Sequence, residues 1–261
     1  VSSATPPVYG APCWVHLAAR DLDSAQDFYA ATLGWRFATS ELGPEFSVAM
    51  VGDEPVAGIG TMQATLGMPV AWTPYFLVPS ADTTAARVAE RSATVAVGPL
   101  TLATGRASLA SDPAGATFGF WEGELPSGRP TRGDTAPQLE LRTRDAFAMA
   151  IFYAEVFEWA SGDQQRCDVA YEHGAVTVLV GEHVVATLRG GAVEAAPDPR
   201  IQPRWHVAFP VADVAETVRA ATSAGGSIAT EPGDTPFGHS AVLRDPDGGF
   251  FTVTQNTQHT S

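Results

Sequence analysis

Lysine is absent from this 261-residue chain, and all 15 basic residues are arginine. Without a lysine amine there is no Schiff-base chemistry, no anchor for pyridoxal phosphate and no Walker-type phosphate loop. Cysteine is scarce as well. Cys13 and Cys167 are too few for a disulfide framework or a cysteine-rich metal cage, and both read as small buried apolar groups. No apolar run reaches the roughly 18–20 residues that a membrane-spanning helix needs. Val1–Gly10 has neither a basic stretch nor an apolar signal core, so a cytoplasmic protein without a membrane partner is expected. Gly-x-Ser-x-Gly and His-Glu-x-x-His are both missing, which removes the nucleophile-elbow hydrolases and the zincin proteases.

What is present is core-forming and acidic. Hydrophobic residues make up 45% of the chain and charged ones 17%, enough for one large or two ordinary globular domains. The 29 acidic residues give a net charge of −14, which repels nucleic acid and anionic membranes. If this charge steers anything it favours neutral or cationic small molecules; the other reading is an acidic surface kept for solubility.

The chain is a duplication. Trp14–Trp35 lies on Gln138–Trp159 without gaps at an offset of 124, which aligns Arg20-Asp21 with Arg144-Asp145 and Phe28-Tyr29-Ala30 with Phe152-Tyr153-Ala154. A second match at an offset of 133 puts Trp72–Val78 on Trp205–Val211 and Asp112-Pro113 on Asp245-Pro246. Each half again holds two similar units, a short alternating strand followed by a helix and then short strands rich in Val, Ile, Thr and Phe. In the first, Trp14–Ala19 is the strand, Asp21 or Asp23 the helix N-cap, and Leu22, Ala25, Phe28, Tyr29 and Leu33 the apolar stripe. In the last, Trp205–Val211 is the strand and Val214–Ala224 the helix, stopped by Gly225-Gly226. The pattern predicts an α+β protein of four βαβββ modules, near residues 12–62, 72–122, 138–191 and 204–256. The two halves, 1–124 and 138–261, are joined by a Pro- and Gly-rich linker at 125–137.

Asp21-Leu22-Asp23-Ser24-Ala25, Phe28-Tyr29 and Leu33-Gly34-Trp35, with an Asp-Pro-x-Gly turn before the last strand of each half, resemble the vicinal oxygen chelate superfamily of glyoxalase I, bleomycin resistance proteins and extradiol dioxygenases. Pro12-Cys13-Trp14-Val15-His16-Leu17 and Phe118-Gly119-Phe120-Trp121 are similar to the two-domain actinobacterial glyoxalase-like proteins labelled "hydroxylase". The resemblance covers almost the whole chain. It implies two glyoxalase-like domains with cup-shaped mixed sheets and flanking helices, a small-molecule ligand or substrate, and a monomer or homodimer. The scaffold itself hosts metal enzymes, metal-free enzymes and binding proteins.

In metal-binding relatives four ligands project into the cup from the first and last strands of each module. Carried onto this chain, those positions are Trp14, Thr73 and Gly119 in the first half and Gln138, His206 and Thr252 in the second. Trp and Gly cannot hold a divalent ion, and the second set lacks the closing Glu, so no metal and no cofactor are expected. The third reading is a metal-dependent enzyme using the C-terminal cup, with Glu140 beside Gln138 and His206.

By strand alternation Trp14, His16, Thr73, Tyr75, Thr117 and Trp121 face into the first cup, and Gln138, Glu140, Arg142, His206, Thr252 and Thr254 into the second. His16, Glu140 and His206 are the candidate acid/base residues; Trp14, Thr73, Tyr75, Trp121, Gln138, Arg142, Thr252 and His239 are the candidate ligand contacts. Each has a plainer alternative. His16 reads equally as a core histidine satisfied by a carbonyl, and Glu140 with Arg142 as an internal ion pair. Trp14, Trp72, Trp121 and Trp205 read as stacking surfaces or core filler, and His239 as a gate on a Gly-containing loop. Phe28, Tyr29, Phe152 and Tyr153 read as core. Two functional readings stand level: a metal-independent lyase-, isomerase- or cyclase-like enzyme of secondary metabolism acting on an aromatic or carbonyl compound, and a drug-binding or resistance protein of the bleomycin-resistance type.

Overall fold

The structure, a computed structural model, describes residues 7–61, 69–124, 135–172, 174–191, 202–235 and 238–255. Among them the four expected modules are present. The first is β1 (Pro12–Ala18), α1 (Leu22–Leu33), β2 (Arg36–Thr39), β3 (Phe46–Val51) and β4 (Glu54–Gly60). The second is β5 (Ala71–Leu77), α2 (Ala81–Glu90), β6 (Thr94–Leu102), β7 (Gly105–Ser111) and β8 (Thr117–Gly123). The third is β9 (Gln138–Arg142), α3 (Ala146–Phe157), β10 (Asp168–Glu172), β11 (Ala175–Val180) and β12 (His183–Arg189). The fourth is β13 (Arg204–Val211), α4 (Val214–Ser223), β14 (Ser227–Thr235), β15 (Gly238–Arg244) and β16 (Phe250–Gln255). Most of the 125–137 linker, and much of the joints between modules, lies outside the described residues.

Local chemistry places the elements. Asp21, rather than Asp23, caps α1 by accepting the Ser24 N–H at 2.8 Å, and Asp145 and Asp213 repeat this at α3 and α4. Gly34 ends α1 in the left-handed region at φ 68°, and its duplicate Glu158 ends α3 at φ 59°. Each half forms one eight-stranded mixed sheet, in the orders β2-β3-β4-β1-β5-β8-β7-β6 and β10-β11-β12-β9-β13-β16-β15-β14. Within every module the first strand pairs in parallel with the last, and the others run antiparallel. That pairing brings first-strand residues beside last-strand residues, the positions the sequence singles out.

Packing divides the chain differently from the halves. One compact unit is Val1–Cys13, Pro74–Glu124 and Leu139–Trp205, and the other is Trp14–Thr73, Leu125–Gln138 and His206–Ser261. The sheets follow the halves, whereas the units each join one module from either half, because α1 packs with α4 and α2 with α3. In the second unit the Tyr29 ring stacks on Trp35 at 5.6 Å and meets Trp72 and Phe251 edge-on. In the first unit Tyr153 stacks on Trp159 at 5.7 Å and meets Trp205 and Phe118 edge-on. Tyr29 and Tyr153 are fully buried, as expected of core residues, and each aromatic partner is buried. Cys13 and Cys167 are buried free thiols, and burial pushes the Cys13 thiol far up. No described helix is long and apolar enough to cross a membrane.

Candidate functional site

His16 lies on β1 directly opposite Gly58 of β4, and Ala18 lies opposite Gly60. The two glycines make room. A Cβ on Gly58 would sit 2.6 Å from Trp14 Nε1 and 2.9 Å from His16 Nδ1; one on Gly60 would sit 2.6 Å from the Phe46 ring and 2.9 Å from His16 Cε1. The imidazole is 7% exposed, with its ring centre 5.8 Å from that of Phe46. Val15 and Leu17, on the other face of β1, are buried in the core. Trp14 and His16 are thus brought together, on the β1 face that meets Gly58 and Gly60 of β4.

The third module repeats the strand pair with different chemistry. Glu140 lies opposite Thr187 and Arg142 opposite Arg189, at the register of His16–Gly58 and Ala18–Gly60. Glu140 is 3% exposed; Arg142 Nε donates to its Oε1 at 2.6 Å, and Arg189 Nε lies 2.9 Å from Oε2. Glu140 is paired with Arg142, as both readings of it require, and has a second arginine close by that alternation along one strand could not reveal. Arg189 had one signal in the sequence, a charge ending the largely apolar run Val184–Leu188.

Tyr75 lies opposite Gly119. Its ring occupies the space a side chain at 119 would need, 2.3–2.6 Å from the Cβ position. Trp121, two residues on, is buried and donates from Nε1 to the Glu124 carbonyl at 3.1 Å. His206 is half-buried on β13, on the face that Thr252 and Thr254 present from β16, where Ala208 pairs with Thr252 and Pro210 with Thr254. Thr73 is buried and Gln138 half-buried. Glu140 and His206 belong to different packing units.

The structure corrects one expectation. His239 is not on a loop: it lies in β15, opposite Asp234 of β14, with Nδ1 3.1 Å from Oδ1, because the hairpin ladder continues through Gly238. Pro236 and Phe237 fall outside the described residues. Trp72 and Trp205 agree with the core-filler reading: each is buried with Nε1 donating to a tyrosine hydroxyl, Tyr29 at 2.9 Å and Tyr153 at 3.0 Å. A cleft of about 330 Å³ beside α1 and α4, lined by Trp35, Phe209 and Glu216 among others, includes none of the expected site residues.

The metal that such folds carry can be tested against these residues. Trp14, Thr73 and Gly119 supply one hydroxyl between them, and Tyr75 fills the room for a side chain at 119. Gln138, His206 and Thr252 supply one imidazole, one amide oxygen and one hydroxyl, with no carboxylate among them. Among the described residues no group of three His, Cys, Asp or Glu converges on a common point. Neither donor set fits a divalent ion.

The paired βαβββ modules, the Asp-Pro-x-Gly turns and the first- and last-strand positions define the class: the chain belongs to the glyoxalase/bleomycin resistance protein/dioxygenase superfamily. The model of that superfamily matches residues 135–252. Curated relatives extend the likeness to 94% of the chain. It is 30% identical over 258 residues to the "Putative glyoxylase CFP32" of Mycobacterium tuberculosis, covering 94% of both chains. It is 31% identical over 264 residues to the "Anthracycline biosynthesis protein DauV" of Streptomyces sp. (strain C5), covering 94% of this chain and 93% of that one. Among solved structures, the Mn(II)-bound glyoxalase of Novosphingobium aromaticivorans shares the fold at a TM-score of 0.59 and 16% identity, covering 96% of this chain and 83% of that one.

Proposed function

We propose that the protein acts on a small aromatic or carbonyl-containing molecule by metal-independent acid/base chemistry, in the making of an antibiotic-type secondary metabolite, with His16 as the group that moves the proton. One observation carries the reading. An imidazole is held among Trp14 and Phe46 on a face of β1 that Gly58 and Gly60 leave open, so β4 gives up two side chains to seat it. An imidazole titrates near neutral pH and serves as acid or base without a metal. The donor sets at the family's metal positions support the metal-independent part. The anthracycline-biosynthesis relatives support the metabolic setting, a polycyclic aromatic ketone being the class of compound to try first. His206, half-buried on the same face of β13 as Ala208, is the second proton-handling candidate.

The test is exchange or turnover of an anthracycline aglycone ketone in D₂O, with protein dialysed against a chelator, followed by mass spectrometry. His16→Ala is expected to lower the rate by about 10²–10⁴-fold, the usual contribution of a positioned acid or base. An unchanged rate in His16→Ala, or activity that returns only with an added divalent ion, sinks the proposal. Tight binding of the ketone without any exchange favours the binding-protein reading instead.

A further inference from the structure

We infer that the cleft beside α1 and α4 is a binding site for a small organic cation, a protonated amine carried on one or two apolar rings. It includes neither His16 nor any other expected site residue, so it stands or falls independently of the acid/base reading.

Three observations carry it. First, the other packing unit fills the corresponding space. There Phe157, at the end of α3, is 2% exposed and stacks on Phe76 with ring centres 4.8 Å apart, and Arg87 of α2 reaches Glu158 at 2.9 Å. The duplicate positions of Phe157, Phe76, Arg87 and Glu158 are Leu33, Phe209, Ala220 and Gly34. A ring, a guanidinium and a carboxylate are thus missing together, and a cleft of about 330 Å³ is left with Leu33, Phe209 and Ala220 in its wall, although α1 still packs with α4. Second, the wall is apolar and its only charged side chains are acidic. They are the exposed Asp213 and Glu216, where the duplicates are Ser80 and Thr83. Ser80 caps α2 as Asp213 caps α4, so the cap itself does not call for a charge. An apolar wall edged by carboxylates draws in a cation that can lay an apolar body against it. Third, Thr32 lines the cleft at 6% exposed, and its Oγ1 is buried without a hydrogen-bond partner. Its duplicate is Val156. A buried polar atom left unpaired costs stability, and the other unit is built without it, so the hydroxyl fits a ligand N–H better than a core.

The experiment is calorimetric titration of the full chain with 1-naphthylmethylamine, with neutral 1-naphthalenemethanol and with methylammonium. The expected result is that the naphthyl amine binds, that the alcohol binds about tenfold more weakly, and that methylammonium gives no measurable heat. Asp213→Asn, which keeps the cap, and Glu216→Gln should each weaken the amine about threefold and leave the alcohol unmoved. Added salt should weaken the amine alone. Leu33→Phe, which supplies the ring of its duplicate, should cost the amine and the alcohol about tenfold or more alike. Ala220→Arg with Gly34→Glu supplies the other unit's ion pair and serves if Leu33→Phe fails to fold, since a Cβ at 34 meets nothing within 4 Å. Thr32→Val should raise the thermal unfolding midpoint and still weaken the amine, a combination that a purely structural hydroxyl would not give. No amine binding by the wild type, equal binding of the alcohol or of methylammonium, or filled-cleft variants that bind the amine like the wild type would each overturn the site. Binding is read without turnover, so an inert protein that passes these tests loses only the acid/base proposal, and a catalyst that fails them loses only the amine site.

Discussion

The Tyr29 hydroxyl donates to Asp245 Oδ2 at 2.9 Å across 216 residues of sequence, while it accepts from Trp72 Nε1. Asp245 Oδ1 meanwhile accepts the N–H groups of Asp247 and Gly249 and so shapes the Asp-Pro-x-Gly turn. The other packing unit repeats every part of this: Trp205 donates to Tyr153, Tyr153 donates to Asp112, and Asp112 accepts from Ala114 and Ala116. Two of the strongest motifs in the sequence, the helix Phe-Tyr and the Asp-Pro turn, are therefore the middle and one end of a buried chain of hydrogen bonds that starts at a tryptophan.

Tyr29→Phe removes the middle of that chain and leaves the buried Trp72 N–H and one Asp245 oxygen without their partner. The expected cost is about 1–3 kcal/mol, the penalty for stranding a buried polar group, measured by urea unfolding. Tyr153→Phe should cost a similar amount in the other unit. A loss near zero for both would mean that the network adds nothing beyond ring packing.

Burial raises the carboxyl pKa of both Asp245 and Asp112 above the usual 3.8, against the opposing pull of the backbone N–H and tyrosine hydrogen bonds. For an acid whose pKa is higher in the folded state, the folded form holds the extra proton, so the contribution to stability is fully present below 3.8 and is lost as pH rises through the folded value. Asp245→Asn cannot ionise. Its stability relative to wild type should therefore improve as pH rises from about 3.5 toward 7, and urea unfolding at several pH values reads the slope. A flat or opposite slope refutes the burial argument.

Glu158 ends α3 in a left-handed conformation that its duplicate Gly34 adopts without strain. Arg87 at 2.9 Å and Arg166 hold its carboxylate, and Arg87 leads in pushing its pKa down. Glu158→Gly relieves roughly 1 kcal/mol of backbone strain and gives up two partly exposed ion pairs of small worth, so a modest gain in stability is expected near neutral pH. The depressed carboxyl stabilises the fold above its unfolded pKa and ceases to as pH falls through the folded one, so the variant's advantage should grow in acid. Unfolding at two pH values checks both signs.

Much of this architecture was legible because duplication writes each element at least twice. Asp21 and Asp145 cap equivalent helices, and Trp35 and Trp159 pack on equivalent tyrosines. The individual residues facing inward were legible from period-two alternation, as with Trp14 and His16. What alternation cannot give is the neighbour on another strand. Arg189 meets Glu140 only through a parallel pairing whose register depends on residues 47 positions away. Gly58 and Gly60 likewise acquire meaning only once β4 lies beside β1. His239 looked like loop because Pro and Gly precede it, yet backbone pairing with β14 overrides that local signal. The division into packing units was hidden for the same reason, since it rests on contacts such as Tyr29 with Asp245.

Gly119 and Tyr75 offer the sharpest test of why a metal-ligand position carries no side chain. A Cβ at 119 would meet the Tyr75 ring at 2.3 Å, with Cδ1 and Cζ also within 2.6 Å, so Gly119→Ala must displace a buried ring rather than the tip of a flexible chain. Overpacking of that kind costs about 1–3 kcal/mol. Tyr75→Ala alone should be destabilising too, through the cavity it leaves. If the two positions compete for one space, the double variant should be more stable than the sum of the two losses implies, by about 1 kcal/mol or more in a double-mutant cycle. The same pair then serves as a background for Gly119→Glu, which restores a carboxylate at the position where metal-binding relatives place one. That variant should fold only when Tyr75 is small, and circular dichroism with urea unfolding of Gly119→Glu in both backgrounds decides it. Additive losses, or a stable Gly119→Glu beside an intact Tyr75, would mean that the tyrosine ring does not hold that space.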